Sequence, residues 1–264
     1  MKNIYNICNT INNQNINNMK KIALVNHKGG VGKTTSAVNI AAAMVKKGKK
    51  VLLIDTDPQS NLTESLGFFD NKITIYDSFS KGTPLPILEY HKKLYVVPST
   101  LDLAGIEIEL STRLGRERIL KELLEPLEKE YDVCIMDCPP SIGIITLNVL
   151  MATDEVYIPM LAEYLSFRGI DSIVVFIEQV RKYYNPNLRI KGVFFTQYKE
   201  NRVLSRKIKE QLEKNLGDVL MKTKIRVNVA LAEAQSNGKD IFAYDKESNG
   251  AKDYKELVNE ILKR

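Results

Sequence analysis

The chain has 264 residues, 44% hydrophobic and 27% charged, enough for one large α/β domain with a sizeable core. No apolar run approaches the roughly 20 residues of a membrane-spanning helix, and the N-terminus lacks the apolar stretch of a secretory signal, so the sequence reads as cytoplasmic. The formal charge of +6 is uneven: residues 181–226 hold thirteen Lys/Arg against four Asp/Glu, which points either to a polyanion partner on one face or to a solvated lysine-rich surface.

The first 18 residues, MKNIYNICNTINNQNINN, are asparagine-rich and without helical or strand period. They read as a disordered leader, with one domain over 19–264 that a start at Met19 would leave whole. Residues 22–26 form a short apolar run that ends in a glycine loop. Residues 33–47 read as a helix, with Ala37, Ile40, Ala41, Met44 and Val45 near helical spacing and Gly48 as its stop. Continuous apolar runs follow at 51–54, 94–97, 133–136, 156–158 and 193–195, the pattern of strands buried on both faces of a parallel sheet. Between them lie expected helices at 116–129, which Pro126 kinks or splits, and at 166–184. A further helix is striped by Leu204, Ile208, Leu212 and Leu216 and ends at Gly217. Tyr254, Leu257, Val258 and Ile261 stripe a closing helix. This alternation predicts an α/β fold: a single P-loop domain with a mostly parallel sheet covered by helices on both faces. Cys8, Cys134 and Cys138 make no disulfide framework, and Cys134, inside an apolar run, reads as a buried structural thiol.

The strongest chemical signal is Lys28-Gly29-Gly30-Val31-Gly32-Lys33-Thr34-Thr35, set between a predicted strand and a predicted helix. Glycines let successive backbone N–H groups turn inward around phosphate oxygens, and the start of the helix adds its positive dipole end. In such a loop Lys33 reaches the β- and γ-phosphates and the Thr34 hydroxyl ligates Mg2+. Two acidic sites follow at strand ends, Asp55-Thr56-Asp57 and Asp137. In an open α/β sheet, ligands bind at the carboxyl ends of strands. Carboxylates there can hold a metal ion or its waters, or orient an attacking water.

Four strings, VNHKGGVGKTT, LLIDTDPQSNLT, YDVCIMDCPPS and NVALAEAQSNGKDIFAYD, together with the closing SNGAKDYKELVNEIL, resemble the ParA/Soj partition ATPases, which carry a deviant Walker A motif with a second lysine, here Lys28. The resemblance runs from Met19 to the C-terminus. It implies an ATPase with ATP and Mg2+ as cofactors. In it, Lys33, Thr35 and the backbone of Gly29, Gly30, Val31 and Gly32 hold the phosphates, Thr34 and Asp137 serve the metal, and Asp57 positions the hydrolytic water. Lys28 reaches across a homodimer to the partner's ATP. The resemblance places the adenine beside residues 224–228, with Arg226 and Asn228 as cofactor-binding candidates. The chain departs from the family there: Arg226 replaces a proline, and Ala230 stands where relatives carry a second arginine.

The function so implied is an ATP-dependent dimerising switch for plasmid or chromosome partition. It would be nucleoid-associated and bind DNA without sequence preference, with slow hydrolysis stimulated by a ParB-like centromere-binding partner. With Ala230 in place of the arginine, DNA contact is expected from the basic strip, with Arg202, Arg206 and Lys209 as candidates. One rival is a membrane-associated positioning ATPase like MinD. The closing helix is short, carries two glutamates after Tyr254 and exposes no Phe or Trp, so it is expected to dock on the core, with no stable membrane association. The other rival is a metabolic enzyme on the same fold. An iron–sulfur reductase would need cluster cysteines in its middle section, and a synthetase would need a substrate pocket that the sequence does not identify.

Overall fold

The computed structural model describes residues 19–199, 210, 212, 213 and 215–264, with backbone alone for 164–170. The leader 1–18 lies outside the described residues, as do Arg202, Arg206 and Lys209 and the stripe residues Leu204 and Ile208. In chain order the main elements are β1 (Lys20–Leu24), α1 (Lys33–Lys46), β2 (Val51–Asp55), α2 (Asn61–Ser65), α3 (Ile75–Lys81), β3 (Leu88–His91), β4 (Leu94–Val97), α4 (Ile106–Glu109), α5 (Ile119–Leu124), β5 (Val133–Asp137), α6 (Ile144–Ala152), β6 (Glu155–Leu161), α7 (Tyr164–Tyr183), β7 (Arg189–Thr196), α8 (Val229–Ser236), α9 (Ile241–Tyr244) and α10 (Asn249–Ile261).

The strands form one seven-stranded sheet in the order β3-β4-β2-β5-β1-β6-β7. Every pairing is parallel except β3 with β4. The apolar runs explain why. Successive side chains of a strand point to opposite faces, and here both faces are covered. Leu52, Ile54, Cys134 and Met136 enter one hydrophobic cluster. Val51, Leu53, Val133 and Ile135, their neighbours in sequence, enter the other. The first cluster includes Ile119 and Leu120 of α5 and Ile173, Ile177 and Val180 of α7. The second is built on α1 and α10.

One local outcome differs from the periodic reading, and one expected break is seen. The edge strand β3 was not expected, because Leu88-Glu89-Tyr90-His91 pairs on one side only and stays partly exposed, so it lacks a buried strand's apolar run. The expected helix over 116–129 divides at Pro126: α5 ends at Leu124, and a 3-10 turn, Glu125–Leu127, continues. Proline has no N–H to donate to the carbonyl four residues earlier, so the α-helical hydrogen-bond ladder stops there. The closing helix behaves as expected. Ser248 caps it by accepting from Ala251 N at 3.1 Å, and Tyr254, Leu257, Val258 and Ile261 are buried in the cluster they share with Ala37, Ile40, Ala41 and Met44 of α1. Among the described residues no helix is long and apolar enough to cross a membrane.

The sheet's order reverses at β1, which lies between β5 and β6; a crevice opens at the carboxyl ends of the strands beside such a point. Parallel register sets Leu24 and Asp55 on either side of Asp137, so two carboxylates share one end of the sheet. Asp55 is fully buried. It accepts from Thr63 N at 2.9 Å, Thr63 Oγ1 at 2.6 Å and Asp57 N at 3.1 Å, and so ties α2 and the Asp57 turn to β2. Burial raises its pKa to about 6, against the pull of the Thr63 hydrogen bonds. Replacing Asp55 by Ala leaves these donors unsatisfied. Each costs about 1–3 kcal/mol, so urea unfolding is expected to show a loss of at least about 2 kcal/mol. An unchanged midpoint would mean that Asp55 does not hold this turn.

Candidate functional site

The loop between β1 and α1 curls because Gly30 and Gly32 take φ values of 72° and 81°, left-handed conformations that side-chain-bearing residues rarely adopt. Its base is fixed by Asn26, which donates to Pro159 O at 2.8 Å and accepts from Lys28 N at 3.0 Å. Lys33 opens α1 with its side chain folded back, donating to Lys28 O at 3.0 Å. Burial lowers the pKa of Lys33, opposed by the charge of Asp137 and, further down, of Asp57. An ammonium held this dry, with carboxylates near, is set to gain strongly from an anion.

Thr34 is one residue further along α1, and its hydroxyl donates to Asp137 Oδ2 at 2.6 Å. Burial, then the charge of Asp55 beside it, pushes Asp137 up to about 8. Its other oxygen, Oδ1, is buried with no hydrogen-bond partner. A buried carboxylate oxygen left bare next to a hydroxyl matches what an oxygen-seeking divalent cation requires. Asp57 Oδ1 accepts from Gln59 N at 2.9 Å, and Asp57 lines the same cavity as the loop.

That cavity has a volume of about 640 Å3 and is bordered by Gly29, Gly30, Gly32, Lys33, Thr34, Thr35 and Asp57, with Gln59, Pro140 and Gln197 beyond. Of the site residues expected from the loop and the strand ends, Lys28, Val31 and Asp137 do not border it; Asp137 lies buried behind it, reached through the Thr34 hydroxyl. A second cavity of about 330 Å3 adjoins it, shares Gly32, Thr35, Gln197 and Gln235, and is lined by Ile225, Arg226, Val227, Asn228 and Tyr254. A groove of about 840 Å3 on the outer side of α7 is larger, but no loop residue or strand-end carboxylate borders it. The glycine loop, a buried ammonium and carboxylates come together at the loop, which makes it the candidate site.

Arg226 and Asn228 line the second cavity, and the protein itself engages the Arg226 guanidinium and the Asn228 side-chain oxygen. The Arg226 guanidinium grips Asp253 of α10, Nη2 to Oδ1 at 2.6 Å and Nε to Oδ2 at 3.0 Å, and its backbone N–H donates to the same carboxylate at 2.9 Å. Asn228 Oδ1 accepts from Ala230 N at 2.9 Å and caps α8. The arginine that stands in place of the family proline thus fastens this loop to the last helix. Thr196 at the end of β7, Gln197 after it and Gln235 within α8 also border these cavities, and sequence reasoning assigns none of them a role because no chemical motif spacing marks them.

A family model described as an AAA domain matches residues 19–190. The chain is 39% identical over 254 residues to the chromosome-partitioning ATPase Soj of Treponema pallidum, covering 93% of this chain and 98% of that one. It is 41% identical over 247 residues to the sporulation initiation inhibitor protein Soj of Bacillus subtilis, covering 92% and 98%. Its structure superposes on that of cobyrinic acid a,c-diamide synthase from Mycobacterium smegmatis, solved with a bound ATP analog and magnesium, with a TM-score of 0.82 and 31% identity over 93% of this chain and 95% of that one. With its phosphate-loop geometry, its carboxylates at the ends of β2 and β5 and these near-full-length likenesses, the chain belongs to the Soj/ParA family of partitioning ATPases.

Proposed function

We propose that the protein is an ATP-dependent, dimerising switch that binds DNA without sequence preference and drives plasmid or chromosome partition on the nucleoid. A ParB-like centromere-binding protein stimulates its slow hydrolysis of ATP to ADP and phosphate. The observation that carries this reading is the cavity where the glycine loop, buried Lys33, Thr34 and Asp57 meet, with the half-bare Asp137 carboxylate hydrogen-bonded behind Thr34. Full-length identities of 39% and 41% to the Soj proteins, against 31% to the synthase, favour the partition reading over a metabolic one.

Lys33 takes the charge of the β- and γ-phosphates, and the loop N–H groups from Gly29 to Thr35 cradle their oxygens. Thr34 and Asp137 would hold magnesium, which when bound neutralises phosphate charge. Asp57 orients the attacking water, and its anchored turn, with Gln59 N on Oδ1, sets the direction of the second oxygen. The base lies in the adjoining cavity beside Arg226 and Asn228. Lys28, partly exposed on the loop, serves the nucleotide of the other protomer. Exposed apolar side chains support a dimer closing over it: Phe69, 66% exposed, borders the phosphate cavity itself, and Leu101, 67% exposed, lines a neighbouring cavity with Phe69.

Removing Lys33 as Lys33→Ala takes away the charge that meets the phosphates. Truncating one member of a buried charge pair costs about 3–5 kcal/mol, so titration with a fluorescent ATP analogue is expected to show affinity at least a hundredfold weaker. Wild-type affinity in the variant would refute the site.

Lys28→Ala and Asp57→Ala are expected to separate by sizing chromatography with Mg·ATP. The Lys28 variant binds nucleotide but stays monomeric, whereas the Asp57 variant accumulates as an ATP-bound dimer with little turnover. A monomeric, ATP-loaded Asp57 variant would overturn the role given to that carboxylate.

DNA binding is assigned to the basic strip that includes Lys199, Arg202, Arg206, Lys209, Lys222 and Lys224. A dimer doubles the phosphate contacts of a monomer, and each neutralised phosphate adds a slope of about −0.9 to log K against log salt. Mobility shifts on unrelated duplexes are expected with ATP and not with ADP, and to be lost when Arg202, Arg206 and Lys209 become Glu. Equal binding with ADP removes the gating, and an unaffected triple variant removes the placement.

A further inference from the structure

The last residue of β7 and the residue after it reach across to the phosphate loop. Thr196, 2% exposed, donates its hydroxyl to Val31 O at 2.7 Å and stands within 3.2 Å of Met160 O. Gln197 donates its side-chain amide to Gly30 O at 3.0 Å. Two consecutive loop carbonyls are therefore held by two consecutive residues of one strand end. Gln197 does this from a left-handed backbone, φ 47°, a conformation uncommon outside glycine, asparagine and aspartate, and one that marks functional positions when it persists. The same strand end continues beside the loop of the second cavity: Tyr198 N donates to Ile225 O and Ile225 N to Phe195 O, at 2.9 and 2.8 Å. Gln197 borders both cavities.

We propose that Thr196 and Gln197 are positioning residues for nucleotide binding: they pin the phosphate loop from behind so that its N–H groups face the phosphates. The argument rests on peptide geometry. In a trans peptide the C=O and the following N–H point in opposite directions. Holding Gly30 O and Val31 O toward β7 turns Val31 N–H and Gly32 N–H away from β7. A glycine-rich loop without such a clamp would sample many peptide orientations, because glycine populates both signs of φ freely. The clamp removes that freedom before ligand arrives, and preorganisation of this kind appears as affinity. Because the strand end also carries the wall of the second cavity, base and phosphate pockets keep a fixed spacing.

This inference rests on the proposed nucleotide site, so the first arm of the test is wild-type protein titrated with Mg·ATP by calorimetry; no binding there refutes the site rather than the clamp. With binding established, four variants address the clamp. Thr196→Val keeps shape and loses the donor, while Thr196→Ser keeps the donor. Gln197→Asn tolerates the left-handed backbone but falls a methylene short of Gly30 O, and Gln197→Gly relieves the backbone while removing the amide. One hydrogen bond to a loop carbonyl corresponds to about a five- to tenfold change in affinity. The expected result is a Kd for Mg·ATP raised about that much in Thr196→Val, Gln197→Asn and Gln197→Gly, and within about twofold of wild type in Thr196→Ser. The thermal midpoint of Gln197→Gly is expected to be unchanged or higher, which a purely structural role would not give together with weaker binding. Wild-type affinity in Thr196→Val and Gln197→Gly, or a loss in Thr196→Ser equal to that in Thr196→Val, would overturn the proposal.

Discussion

Parallel hydrogen-bonded register between β5 and its two neighbours is the constraint on which the site depends. Asp137 ends β5 and faces Leu24 of β1 on one side and Asp55 of β2 on the other. A shift of one residue would exchange the two faces of a strand and send Asp137 away from the loop that follows Leu24. The register is strongly specified because both faces are buried: a slip would move Val133 and Ile135 out of one cluster and Cys134 and Met136 out of the other. Hydrophobic packing thus fixes the position of a carboxylate to within a hydrogen bond of Thr34.

The electrostatics follow from that placement. The sheet end gathers Asp57 and Asp137 near one buried ammonium, Lys33, with Asp55 beside Asp137. Asp55 and Asp137 are both raised, first by burial, and Lys33 is lowered, first by burial. Asp55 has its charge answered by donors from Thr63 and Asp57. Asp137 has only the Thr34 hydroxyl on Oδ2, and its Oδ1 is bare. The difference separates a carboxylate that builds the turn from one with a bare oxygen, though both end a strand in the same way.

The last helix braces the site from the opposite side. Tyr254, fully buried, shares a hydrogen bond of 3.0 Å with Ser36 on the first turn of α1, and its neighbour Asp253 clasps Arg226. One turn of α10 thereby holds the helix that starts at the phosphate loop and the wall of the second cavity. With its apolar stripe committed to the core, this helix has no free apolar face of the kind an interfacial membrane helix lays on lipid.

The α/β class, the phosphate loop and the two acidic strand ends were legible in the sequence, because each depends on local pattern: buried strands read as continuous apolar runs, α1 as helical spacing, and the loop as glycines and lysines in fixed order. The edge strand β3 was not legible, since a strand paired on one side needs no apolar run. The strand-end pattern by itself did not tell Asp55 from Asp137, and it was the family resemblance that singled out Asp137. Arg226 showed as a departure from the family's proline, yet its clasp on Asp253, 27 residues away, could not be read. The clamp of Thr196 and Gln197 on a loop some 165 residues earlier was equally hidden. Sequence patterning sets which face of each element is buried, because that preference is a property of neighbouring residues. Which polar group meets which across the crevice depends on strand order and register, and these exist only once the sheet has formed.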